Sequence, residues 1–122
     1  RNVSKSERAA ALAGHVGRVG SITESDRADV IINATPIGMQ GTGNEGNTPL
    51  PIDSIHRRQT IVDLIYHPLE TELLKNASSI GARTINGIGM LVHQAALQYT
   101  LWTQKDAPLE IMQSAVIQKI SE

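Results

Sequence analysis

The stretch Asn86-Gly-Ile-Gly-Met-Leu-Val-His-Gln-Ala-Ala96 gathers residue types that could hold a ligand. Gly87 and Gly89 permit close approach of backbone. The helix-forming run behind them offers unpaired N–H groups and the positive end of a helix dipole. Together these would let main chain lean on a cofactor. Gln94 sits within an apolar run, where an amide without a partner costs roughly 1–3 kcal/mol. A ligand hydroxyl could be that partner. The alternative is an ordinary loop-to-helix junction with a satisfied core glutamine, and one Gly-rich turn does not decide between the two. Two further strings carry polar residues at or near the end of an apolar run, Asn33-Ala-Thr-Pro-Ile-Gly-Met39 and Asp63-Leu-Ile-Tyr-His-Pro68. The histidines at 15, 56, 67 and 93 lack metal-ligand spacing, and Glu7 and Glu70 form no carboxylate pair with a mechanism. Asp63 is read as a structural cap or ion-pair partner. With no cysteine in the chain, thiolate chemistry and disulfides are out.

The elements that must position these residues follow from hydrophobic pattern. Asp29-Val-Ile-Ile-Asn-Ala-Thr35 and Thr60-Ile-Val-Asp-Leu-Ile-Tyr66 are apolar, β-branched runs without alternation, as in strands buried on both faces of a parallel sheet. Residues 83–86 make a third, shorter strand. Thr71 caps a helix whose Leu73, Leu74, Ala77 and Ile80 share one side and which Gly81 stops. The glycine pair opens a helix to about Thr103, with Val92, Ala95, Ala96, Tyr99 and Thr103 in one stripe, and Pro108 starts a last helix to residue 120. Near the start, Ser4-Lys-Ser-Glu7 reads as a capping box before an Ala-rich helix ended by Gly14. Residues 16–19 read as a short strand, residues 23–27 and 52–55 as helical turns, and residues 40–51 as a surface loop. This alternation implies an α/β fold with a parallel sheet and helices on both faces. All three ligand-type strings then fall at the carboxyl ends of strands, where such sheets bind ligands.

The totals narrow the classes. The 122 residues suit one domain, and a net charge of −1 gives no basic excess for nucleic acid. No apolar run approaches the ~20 residues of a membrane span, and no signal peptide opens the chain, so a cytoplasmic setting is expected. The chain starts at Arg1 without an initiator Met, which suggests a piece of something longer.

The three strings, in this order and spacing, resemble shikimate dehydrogenases. Their Asn-Ala-Thr-x-x-Gly-Met, Asp-x-x-Tyr-x-Pro-x-x-Thr and Gly-x-x-Met-Leu-x-x-Gln-Ala segments are similar to residues 33–39, 63–71 and 87–95 here. Trp102-Thr103 and Pro108 to Met112 also resemble the family's closing helices. The family reduces 3-dehydroshikimate to shikimate with NADPH, a step of chorismate and aromatic amino-acid biosynthesis. The resemblance covers only the later part of a Rossmann-like NADP-binding domain, spanning residues 1–122. The first strand, the Gly-rich loop and the whole substrate domain with its catalytic Lys and Asp would lie outside it. No catalytic residue is therefore assigned here.

By resemblance, Arg1 and Lys5 would hold the 2′-phosphate of NADP, with Asn2 standing where the family's adenosine motif has Thr. Asn33, Ala34 and Thr35 would line the cofactor. Leu64, Gly87 and Met90 would border the nicotinamide. Tyr66 and Gln94 would touch shikimate or 3-dehydroshikimate. The resemblance implies a chain inactive by itself. An exposed strand edge left by the missing first strand would favour a homodimer, a domain swap or pairing with the missing N-terminal part. Two other readings stand beside it: a quinate/shikimate dehydrogenase using NAD, and a non-catalytic nucleotide-binding module.

Overall fold

Three short β-branched runs form the centre of the chain. The computed structural model describes residues 3–120. Strands β1 (Val30–Asn33), β2 (Thr60–Asp63) and β3 (Arg83–Ile85) make a parallel sheet in the order β1-β2-β3. Ile31 lies beside Ile61, and Asn33 beside Asp63, so one face of the sheet is apolar until its carboxyl end, where it becomes polar. Helix α2 (Glu72–Ile80) packs on that face. Leu73, Leu74 and Ala77 bury themselves against Ile61, with Leu50, Ile55 and Ala82 closing the cluster. Burying a Leu or Ile side chain contributes about 1.5–3 kcal/mol, so this small cluster is the main source of stability. Thr71 caps α2 by accepting from the Leu74 N–H at 3.4 Å, and Gly81 ends it at φ +85°. A side chain at Gly81 would be strained in that left-handed conformation.

The opposite face of the sheet is less covered. Val30, Ile32 and Ile85 remain 52 %, 59 % and 42 % exposed. The outer edge of β1 has no partner strand among the described residues. Helix α1 (Val3–Ala11) packs chiefly against the turn at Gly14–Val16, and neither α1 nor α4 (Leu109–Ile120) buries a residue. Helix α3 (Ile88–Thr103) packs mainly against α4.

Three local expectations change. Residues 14–16 form a 3-10 turn and residues 17–20 are irregular instead of a strand at 16–19. A strand needs a hydrogen-bonded neighbour, and Val16 and Val19 stay exposed. The capping box is at Ser21 and Glu24 rather than at Ser4, which lies inside α1. Glu24 accepts from the Ser21 N–H at 2.8 Å and from Arg18 at 3.1 Å, and the Arg18 guanidinium with that N–H holds its carboxyl below the ordinary glutamate range. The Ala-rich helix also stops earlier, at Ala11, with Gly14 at φ +61°. The turns expected at 23–27 and 52–55 are present as Ile22–Arg27 and Ile52–Ser54.

The amino ends of the strands are tied down by Gln59, which is 1 % exposed. Its Nε2 donates to the carbonyls of Ser25 (2.8 Å) and Ala28 (3.0 Å), and its Oε1 accepts from the His56 N–H (2.9 Å). At the carboxyl ends the backbones continue pairing beyond the strands. Leu64 N–H donates to Asn33 O at 3.1 Å, and Gly87 N–H to Ile65 O at 3.0 Å. A Cβ on Gly87 would overlap the Leu64 carbonyl and lie 2.8 Å from Ile65 O. We expect Gly87→Ala to lower stability by about 1–3 kcal/mol, because backbone must move to admit the methyl group. Chemical denaturation measures this, and an unchanged midpoint would contradict it.

The loop after β1 is held by one carboxylate. Glu45 Oε1 accepts from the N–H groups of Gly41 (2.7 Å), Thr42 (3.1 Å) and Gly43 (3.1 Å). The backbone N–H of Glu45 itself, then that of Gly43, with those of Gly41 and Thr42 adding less, hold its carboxyl below the ordinary glutamate range. A depressed folded pKa stabilises above the unfolded value, about 4.3, and that stabilisation is lost as pH falls through the folded one. The amide signals of Gly41–Gly43 should therefore lose protection on acidification below about pH 4.3, and Glu45→Gln should remove that pH dependence. Amide signals unchanged from neutral pH to pH 3 in the wild-type chain would refute the assignment.

Candidate functional site

The carboxyl ends of the strands meet in a buried polar network. Asp63 is completely buried and makes no ion pair among the described residues; instead, every partner of its side chain is a donor. Oδ1 accepts from Asn33 Nδ2 at 3.0 Å and from the Ile65 N–H at 3.1 Å. Oδ2 accepts from Thr71 Oγ1 at 2.7 Å. Asn33 extends the network: its Nδ2 also reaches Ile37 O (3.2 Å), and its Oδ1 accepts from Thr35 N (3.0 Å) and Thr35 Oγ1 (2.7 Å). Buried polar atoms are tolerated because each of these hydrogen bonds replaces one to water. The expected structural role of Asp63 takes this form, as an acceptor for three donors and not as an ion pair.

The network places the expected site residues in one row. Thr35 is half-buried after β1, with its hydroxyl turned toward Asn33, and Ala34 is exposed beside it. Leu64 is half-buried, next to Asn33 through the backbone bond, and Tyr66 follows at 40 % exposure. Gly87 is buried against Leu64 and Ile65. Its missing side chain is thus first required by packing between neighbouring strand ends. Gly89 is different: it is exposed, and a Cβ there would meet nothing within 4 Å. Asn86 completes the junction by accepting from the Ile88 N–H at 3.3 Å.

Helix α3 corrects one premise. Its buried stripe is Ile88, Val92 and Ala96, with Ala95 and Tyr99 half-buried and Thr103 exposed. Gln94, two residues from Val92, therefore turns away from the core and is exposed. No buried-amide penalty applies. The apolar run suggested burial because α3 is apolar around most of its circumference, with Leu97, Leu101 and Trp102 largely exposed. Met90, 47 % exposed, lies one turn before Gln94 on the same side of the helix. Thioether and amide thus stand together on the exposed side of α3, the helix that opens at Gly87.

Lys5 lies elsewhere in the sequence and shares a shallow cleft of about 480 Å³ with Ala9, Arg18 and Gly20. Arg1 and Asn2 are outside the described residues. The cavity beside Asn33 and Thr35 is only about 130 Å³, too small to enclose a dinucleotide, so the row is an open wall. No cluster of three or more metal-ligating side chains occurs among the described residues, and no described helix is long and apolar enough to cross a membrane. The Asn33–Asp63–Thr71 network and Gln59 were not singled out as linked groups in the sequence. Their signal is indirect: Asn33, Gln59 and Asp63 are polar residues at the ends of apolar strands and Thr71 is a helix cap, with 30 residues between Asn33 and Asp63.

Comparison with known proteins agrees with this layout. The family model described as the shikimate 5′-dehydrogenase C-terminal domain matches residues 87–117, the glycine junction with all of α3 and most of α4. The shikimate dehydrogenase (NADP(+)) of Methanocaldococcus jannaschii is 42 % identical over 104 residues, covering 84 % of this chain and 36 % of that protein. The chain therefore spans little more than a third of that relative's length. Among solved structures, Thermus thermophilus shikimate 5-dehydrogenase, in complex with NADP(H) and shikimate, superposes with a TM-score of 0.78 at 31 % identity, over 93 % of this chain and 42 % of that one. Quinate dehydrogenase from Corynebacterium glutamicum, in complex with NAD, gives 0.85 at 28 % identity, over 96 % and 44 %. Ordered motifs, parallel topology and these likenesses agree: the chain belongs to the shikimate dehydrogenase family and aligns with the Rossmann-like part of its members.

Proposed function

We propose that this chain is the nicotinamide-side part of an NADP-dependent shikimate dehydrogenase acting in the cytoplasm on shikimate and 3-dehydroshikimate. The observation that carries the reading is the row of strand ends at Asn33–Thr35, Leu64–Tyr66 and Gly87–Met90, locked side by side by backbone and Asp63 hydrogen bonds. The residues present suit a nicotinamide. Gly89 leaves an open space that a Cβ would occupy, half-buried Leu64 meets buried Gly87 through its backbone, and Met90 adds an exposed apolar side chain three residues on. The bound dinucleotide supplies or accepts a hydride at C4 of its nicotinamide.

In this reading Asn33, Ala34 and Thr35 carry cofactor contacts, and Arg1, Asn2 and Lys5 the 2′-phosphate end. Leu64, Gly87 and Met90 form the floor under the ring. Tyr66 and Gln94 donate hydrogen bonds to hydroxyls of the substrate, orienting its reacting carbon. Proton transfer at the substrate oxygen belongs to residues outside this chain, in the missing N-terminal part of the protein. The quinate reading, with NAD, draws support from the likeness to the Corynebacterium enzyme; Lys5 and Arg1 favour the phosphate-bearing cofactor.

Two outcomes test this. The pure chain should bind NADP+ weakly, with Kd on the order of millimolar, and should not produce NADPH from shikimate. Isothermal calorimetry and absorbance at the NADPH band measure the two quantities, and steady turnover by the chain alone would overturn the division of labour. Tighter binding of NAD+ than of NADP+ would instead favour the quinate reading. The second outcome concerns the open β1 edge beside exposed Val30 and Ile32. Such an edge pairs with other chains, so the isolated chain should dimerise or swap strands at high concentration. Light scattering that shows only monomer, with full secondary structure by circular dichroism, would count against this.

A further inference from the structure

We infer that Asp63 is a positioning residue that sets the cofactor wall and the substrate contact in register with each other. The inference rests on the proposed roles of Asn33–Thr35 and Tyr66. One fully buried carboxylate holds three separate pieces of chain. Oδ1 takes the Asn33 amide, whose own Oδ1 fixes the Thr35 N–H and hydroxyl on the cofactor side. The same Oδ1 takes the N–H of Ile65, the residue immediately before Tyr66. Oδ2 takes Thr71, the cap of α2. Two donors from different strand ends therefore converge on one oxygen, and the angle between Asn33 and Ile65 at that oxygen fixes how Thr35 and Tyr66 stand relative to each other. The third arm ties the pair to the core through α2. An acceptor-only group is required, because all three partners donate.

The arms can be separated by substitution. Asp63→Asn keeps one carbonyl oxygen for Asn33 and Ile65, and its amide then faces Thr71. Thr71→Val removes the third arm, together with the α2 cap, and leaves the other two arms intact. Asp63→Ala removes all three. In a ¹⁵N-labelled chain, Asp63→Ala should displace the amide signals of Thr35 and Tyr66 together and raise the hydrogen exchange of the Thr35 and Ile65 amides, which the network holds, by roughly 5–30-fold, the factor set by losing about 1–2 kcal/mol of hydrogen bonding. Thr71→Val should lower the melting temperature and shift Leu74 while Thr35 and Tyr66 stay in place. Asp63→Asn should resemble Thr71→Val, which keeps the test open if Asp63→Ala does not fold. A general stabilising role predicts something else: displacement of Thr35 and Tyr66 in proportion to the loss of melting temperature in every variant. That proportionality, or Thr35 and Tyr66 moving in Thr71→Val as much as in Asp63→Ala, would overturn the inference. Addition of NADP+ and shikimate to the wild-type chain tests the underlying functional reading separately. If neither ligand shifts any amide at the strand ends, that reading fails, and the comparison of variants still decides the role of Asp63.

Discussion

A buried carboxylate with three donors and, among the described residues, no cation holds the strand ends of this structure together. Burying Asp63 would cost several kcal/mol if its oxygens were left unmet. The Asn33 amide, the Ile65 N–H and the Thr71 hydroxyl meet them. Each of those groups belongs to a different piece of chain, so the cost of burial is avoided only when β1, the end of β2 and the start of α2 are all in place. Specific geometry follows from that requirement more than from the apolar cluster of Ile61, Leu73 and Ala77, which would tolerate modest repacking. Gln59 does the same work at the opposite end of the strands, where its amide closes the turn at residues 22–27 onto β2.

The same polar logic explains how the site and the fold share residues. Gly87 is demanded by the Leu64 carbonyl before any ligand is considered, whereas Gly89 has no steric reason in the chain itself. Met90 and Gln94 are exposed on one side of α3, away from the stripe of Ile88, Val92 and Ala96. A helix that spends one face on packing and leaves a thioether and an amide on another is suited to flank a ring and reach a hydroxyl. What the described residues lack is an opposing wall, and the chain spans only 36 % of its Methanocaldococcus relative.

Much of this was legible in the sequence because it depended on local rules. The β-branched runs at 30–33 and 60–63, the Thr71 cap, the Gly81 stop and the extent of α3 follow from propensity and capping, which act over a few residues. What failed depended on partners distant in sequence. Residues 16–19 have strand composition but, among the described residues, no neighbouring strand to pair with. Ser4 and Ser21 both begin Ser-x-x-Glu strings, and only the second adopts the box, with Arg18 helping to hold Glu24. Gln94 was expected to be buried because its neighbours are apolar, yet which side of α3 faces inward is decided by tertiary packing. The link from Asn33 to Asp63 spans 30 residues, and no periodicity announces it.

The central claim is that the strand-end row of this chain forms the nicotinamide side of a dehydrogenase site. The most direct measurement is a set of nuclear Overhauser contacts in the chain mixed with excess NADP+. The account predicts contacts from the nicotinamide ring protons to the Met90 methyl group and the Gly89 α-protons. Contacts from the nicotinamide ring to α1 or α4 instead, with none to Met90 or Gly89, would contradict it.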